Sequence, residues 1–248
     1  MPRRSLICLI TTLALCAASP PARADEIVSP AQKSAFEQII RDYILQHPEL
    51  VFEALQSAED KMKAQAEATA RAAIVEKRRE LLEDPTSPVA GNPKGDVTIV
   101  EFFDYRCPYC KQVEPALETL LKEDRQLRIV YKELPVLGKD SVYATRVALA
   151  ARKQGKYERF HGAMMATKGQ IDEKVILQVA ATAGLDPERL KSDMQAGEID
   201  DIIKRNYDLA QALEIHGTPG FVIGGEVVPG AIDIATMKQK IAAARKSG

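Results

Sequence analysis

Residues 97–103, Val-Thr-Ile-Val-Glu-Phe-Phe, run within four residues into Cys107-Pro108-Tyr109-Cys110, and Lys111 to Leu121 then read as helix. The seven-residue run is β-branched and aromatic, the pattern of a buried strand. A strand that delivers a Cys-x-x-Cys to the first turn of a helix leaves few architectures open. It also leaves three uses for the sulfurs: a structural staple, half of a metal site, or a disulfide passed to another molecule.

The rest of the chain weighs those uses. Arg3 and Arg4, the apolar run Leu6 to Ala18 and the Ala22-Arg23-Ala24 pattern read as a cleaved secretory signal over residues 1–24. The run is short for a membrane span. Cleavage removes three arginines and no acid, taking the formal charge from −1 to −4, and it removes Cys8 and Cys16. Export places the remaining pair where disulfides persist. A bridge closing so short a loop removes little entropy from the unfolded chain, so it staples poorly. Tetrahedral zinc needs two more ligands, and only His47, His161 and His216 offer imidazoles. The near-neutral charge and the lack of tryptophan point away from nucleic acid.

Residues 29–83 read as almost continuous helix. Ser29-Pro30 is an N-cap with proline at the first helical position, Phe36, Ile40, Tyr43 and Ile44 recur at helical spacing, and His47-Pro48 ends or kinks the first helix. From there Leu55, Ala58, Met62, Ala66, Ala70 and Ile74 form a narrow stripe beside a charged face. Such a helix has little to bury within its own domain, so a partner helix is expected. Residues 84–96, with three prolines and two glycines, read as a linker that lets the following domain reorient. Beyond the first strand come a second at 127–132, amphipathic helices between 140 and 213, a hairpin turning at Gly224-Gly225, and a closing helix over 232–245.

At the start of a helix, unpaired N–H groups and the dipole favour an anion. This predicts Cys107 as the attacking, exposed thiolate and Cys110, one turn inside, as the resolving thiol. "EFFDYRCPYC", a helical insertion and "GTPGFVIGG" near the end together resemble the DsbA-like thiol-disulfide oxidoreductases of the bacterial periplasm, over about residues 96–246. The resemblance implies an α/β thioredoxin fold with a helical domain inserted at about 139–213. It implies a cis-proline at Pro219 facing the cysteines, and a Thr218 backbone free to pair with a substrate strand. Pro108 and Tyr109 then tune the redox potential. Tyr109 stands where the best-known oxidase has histidine, so extreme oxidising power is not implied. Glu101 matches an acid beneath the active site that assists proton transfer, and Thr218 matches the residue before cis-proline in periplasmic isomerases. His216 reads as a loop residue that could approach the sulfurs.

The N-terminal helices further resemble those of ScsC-type members (suppressor of copper sensitivity), some of which trimerise and act as isomerases. The expected organisation is therefore a signal (1–24), an oligomerisation region (25–88) and a DsbA-like domain (89–248). The function implied is disulfide isomerisation on misfolded or oxidised exported proteins by a periplasmic homo-oligomer, a trimer by resemblance. A membrane thiol-disulfide partner resets the cysteines, and no cofactor, resident metal or nucleic acid is involved. A monomeric dithiol oxidase or reductase, and a copper(I)-binding protein using the same two thiols, remain the alternatives.

Overall fold

The computed structural model describes residues 29–247, so the signal at 1–24 lies outside the described residues. The chain divides into two compact units after Ala58. In the first, α1 (Pro30–Gln46) opens on a capping box: Ser29 Oγ accepts the Gln32 N–H, and Gln32 Oε1 accepts the Ser29 N–H. No residue of α1 is buried. Its apolar stripe, with Phe36, Ile40 and Tyr43, stands more than half exposed. α2 (Glu49–Glu76) follows the break at His47-Pro48.

The second unit is built on a mixed five-stranded sheet of order β1-β3-β2-β4-β5. β2 (Val97–Phe103) lies parallel to β3 (Leu127–Glu133) and antiparallel to β4 (Gly220–Ile223). β4 turns through Gly224 and Gly225, both at positive φ, into β5 (Glu226–Pro229). That backbone is the one a two-residue hairpin favours. α4 (Pro108–Glu123) makes the crossover from β2 to β3, and α10 (Ile234–Ser247) follows β5. Between β3 and β4 lie five helices: α5 (Lys139–Lys153), α6 (Tyr157–Ala166), α7 (Glu173–Thr182), α8 (Pro187–Asp193) and α9 (Gly197–Ala212). This is the thioredoxin fold with a helical insertion.

Strand alternation sorts the two faces. Val97, Ile99 and Phe103 join Ile129 and Tyr131 in one core with Val113, Leu117 and Leu120 of α4 and with the inserted helices. Val100, Phe102 and Val130 face the other way, against Leu209 of α9, Leu213 just after it, and Leu81. By the same parity Glu101 and Glu133 point to the α4 side, and Lys132 to the opposite one.

Residues 84–96 depart from the expected free linker. Val89–Gly91 form β1, paired antiparallel with β3. Leu81, on the short helix α3 (Arg78–Leu82), is 1% exposed in the second core. Lys132 Nζ, buried, donates to Glu80 O at 2.6 Å and Ser87 Oγ at 2.8 Å and lies 3.6 Å from Asp84. A buried ammonium must be paired, so this segment is tied to the sheet, and freedom to reorient cannot reside there.

Candidate active site

Cys107 is the N-cap of α4 with extended backbone angles, Pro108 is the first helical residue, and Cys110 enters the core at 0% exposure. Both cysteines are free thiols. The Cys107 Sγ–H donates to the Thr218 carbonyl at 3.1 Å, and the Thr218–Pro219 peptide is cis. Thus the β2–α4 junction and the loop before β4, 111 residues apart in sequence, meet at the sulfur.

The Cys107 thiol is lowered to about 6. The largest cause is hydrogen bonding from the Cys110 thiol; the Thr218 side chain and the backbone N–H groups of Cys110 and Tyr109 add to it, while burial opposes. Burial first, then the hydrogen bond to Cys107 and the nearby Glu101 carboxyl, push Cys110 far above the usual thiol range. The two sulfurs are therefore set apart, one an anion at neutral pH and the other a neutral donor to it. Cys107 keeps 4% of its surface, so it is the more exposed sulfur only relative to Cys110. Tyr109 is 60% exposed and forms the outer wall.

Glu101 is wholly buried, and neither carboxylate oxygen has a hydrogen-bond partner. Burial first, then the Glu114 and Cys107 charges, raise its carboxyl well above the usual range. It lies on the α4 side of β2, where burial disfavours its charged form. His216 is exposed, its Nε2 3.1 Å from Glu214 Oε2; it behaves as a loop residue.

Several site neighbours carry no motif. Asp104 accepts the Arg106 N–H (2.7 Å) and the Leu137 N–H (3.0 Å), while Arg106 Nη1 donates to Leu137 O (2.7 Å). These bonds pin the β3–α5 loop beside the site. Lys111 Nζ donates to Met164 O (2.5 Å) and Met165 O (3.2 Å), capping the end of α6. Glu114 follows Cys110 by four residues on α4, the one spacing from which a shared face could have been read.

Residues 98–242, more than half the chain, match the family model of the DSBA-like thioredoxin domain. The chain belongs to the DsbA-like thioredoxin domain family. Residues 32–65 match a second model, the copper resistance protein ScsC N-terminal domain. A thioredoxin-like oxidoreductase from Silicibacter pomeroyi DSS-3 superposes with TM-score 0.67 at 46% identity, covering 69% of this chain and 99% of that one. Proteus mirabilis ScsC in a transitional conformation superposes with TM-score 0.66 at 25% identity, covering 90% and 99%. The thiol:disulfide interchange protein DsbA of Bordetella parapertussis is 29% identical over 144 residues, 56% of this chain and 68% of that protein. The Na(+)/H(+) antiporter NhaA 3 of Salinispora tropica is 28% identical over 158 residues. The chain spans about a quarter of that antiporter's length: the match takes in 63% of this chain and 24% of the antiporter. The DsbA-like family model thus takes in β2 to β5, the insertion and the cysteine pair, while the ScsC model falls on α1 and the first part of α2.

Proposed function

We propose that this DsbA-like protein catalyses thiol-disulfide exchange on exported proteins, acting chiefly as a disulfide isomerase. The observation that carries the reading is the asymmetric pair: Cys107 lowered to about 6, chiefly by the Cys110 thiol, with its sulfur against Thr218 and Cys110 buried behind it. Cys107 attacks a substrate disulfide as thiolate and forms a mixed disulfide. The substrate's own thiol, or Cys110, then breaks it. Glu101, buried behind the pair, is the acid–base partner: as the carboxylate it takes the Cys110 proton when that thiol attacks, and as the acid it returns that proton when the disulfide is reduced. Thr218 presents backbone to an extended client. Tyr109, Val136 and Leu137 leave apolar side chains exposed on segments that carry and flank the pair.

Isomerase action is favoured by α1, whose exposed stripe suits association between copies of the chain, and by the ScsC match over it. Several sites on one scaffold raise the effective concentration around one misfolded client. We place the protein in the periplasm, with a membrane thiol-disulfide partner to reset the pair. A copper(I) role would draw on the same two thiols; residues 32–65 contain no cysteine, one histidine, His47, and one methionine, Met62.

Replacing Cys110 with alanine removes the resolving thiol, and mixed disulfides with client proteins should accumulate on non-reducing gels of periplasmic extract. An absence of Cys107-dependent adducts would contradict thiol exchange. In the wild-type background Glu101→Gln should prolong the mixed disulfide by about 10²-fold, the usual size of an acid–base contribution. An unchanged lifetime in stopped-flow fluorescence would remove Glu101 from the mechanism.

A further inference from the structure

Beneath the cysteine pair lies a line of buried proton-bearing groups that the exchange chemistry does not use. His161 of α6, 3% exposed, sits among the rings of Phe103, Tyr105, Tyr131 and Tyr157. Its Nδ1 is 3.2 Å from the Tyr105 hydroxyl, which lies 3.1 Å from Glu133 Oε1. Its Nε2 faces Glu114 Oε1 at 3.4 Å. That contact is longer than a formed hydrogen bond, as acid–base contacts often are before substrate arrives. Glu133, at the end of β3, also accepts from the Tyr157 hydroxyl (2.9 Å) and from Thr145 Oγ1 (2.9 Å). Glu114 has no such cradle, since its Oε2 is buried without a partner.

We propose that Tyr105 and His161 form a buried proton relay that moves one proton between Glu133 and Glu114 when the Cys107–Cys110 pair changes redox state. This rests on the thiol-disulfide reading above. In the disulfide form Glu114 is ionised and Glu133 is protonated. Reduction places a thiolate on Cys107 at the start of α4, the helix that carries Glu114. The Glu133 proton then passes to the Tyr105 oxygen, the Tyr105 proton to His161 Nδ1, and the His161 Nε2 proton to Glu114 Oε1. One proton moves, the imidazole changes tautomer without gaining charge, and no electrons are involved. The negative charge retreats from the cysteine helix to Glu133, where three hydroxyls stabilise it. Oxidation reverses each transfer.

The two ends of the line are unequal in the right sense. Glu114 shares a helix face with Cys110 and acts on Glu101 more strongly than Glu133 does. Burial raises the Glu133 carboxyl to about 8 against the pull of its hydroxyl donors, so near neutrality it lies close enough to its midpoint to hold or to yield a proton. The other charged groups that act on the line or on the rings around it are Glu101 of β2, Asp104 of the β2–α4 junction, Lys111 and Glu118 of α4 and Glu158 of α6. Of these Lys111 is fixed on the α6 carbonyls. His161 is on this account a positioning residue that acts through Glu114.

The test is the His161 tautomer, read from imidazole ¹⁵N resonances in the full-length protein labelled at histidine. The two other imidazoles, His47 and His216, are exposed, which separates their signals from that of His161. The relay predicts a proton on Nδ1 in the dithiol form and on Nε2 in the disulfide form, so the protonated and unprotonated resonances exchange positions. Tyr105→Phe keeps the ring packing, removes the bridging hydroxyl, and should hold a single tautomer in both forms. The wild-type comparison decides alone if that variant does not fold. One tautomer in both redox forms of the wild type overturns the relay while leaving thiol exchange standing. A pair that cannot be cycled to a disulfide overturns the thiol-disulfide reading, and the relay with it.

Discussion

Iodoacetamide should label Cys107 with a rate that rises tenfold per pH unit up to about pH 6 and levels off above it, while Cys110 stays unlabelled through neutral pH. The midpoint follows from the Cys107 thiol lying at about 6. At pH 5 such a thiol is roughly 10% ionised, against about 0.01% for one near 9, a thousandfold advantage in thiolate. Intrinsic nucleophilicity falls with basicity, by about 20-fold over three pH units at a Brønsted slope of 0.4–0.5. Ionisation wins, and Cys107 should react about 50-fold faster than an ordinary peptide cysteine at pH 5. Its small exposed area lowers the absolute rate without moving the midpoint. Mass spectrometry of the labelled peptide checks both sulfurs. A midpoint near 9, or first labelling at Cys110, would contradict the assignment of roles.

The same asymmetry should make the stability of the reduced protein depend on pH in a way that the oxidised protein's does not. The folded-state value of Cys107 lies below its unfolded value. Its contribution is therefore fully present above about 9 and is lost as pH falls through about 6. The shift spans about three pH units at ~1.4 kcal/mol each, so the full contribution is ~4 kcal/mol. At pH 7 roughly 1.4 kcal/mol of it should be expressed, and almost none at pH 5. Denaturant melts of the dithiol and disulfide forms at pH 5, 7 and 9 isolate this contribution, because groups common to both forms cancel. A stability gap that does not change with pH would mean that Cys107 is not held as a thiolate. By linkage, ~1.4 kcal/mol at pH 7 corresponds to only ~30 mV of added oxidising power. That small figure agrees with a pair kept reduced for isomerisation better than with a strong oxidant.

How much of this could be read from the sequence depended on where each signal lay. The strand into CPYC, the helix behind it and the Gly224-Gly225 hairpin are local patterns, and the structure has them. The cis bond at Pro219 came from family likeness, since nothing local distinguishes it. β1 escaped notice because three residues are too few to show alternation, and the prolines and glycines of residues 84–96 around it read as a free linker. Lys132 resembled any strand lysine until β1 and α3 closed over it. The Glu114–His161–Tyr105–Glu133 line draws on four separate segments: α4, α6, the β2–α4 junction and β3. No spacing in sequence announces it. His161 in particular looked only like one of the three imidazoles that a zinc site could draw on.

The most direct test of the isomerase reading is reactivation of scrambled, fully oxidised ribonuclease by the protein lacking residues 1–24, in a weak glutathione buffer. With Cys107 resident as a thiolate, the protein should recover ribonuclease activity several-fold above a no-enzyme control, and Cys107→Ser should abolish the gain. Recovery no better than the control, from a protein whose Cys107 still alkylates with a midpoint near pH 6, would contradict isomerase action and leave the α1 stripe without its proposed purpose.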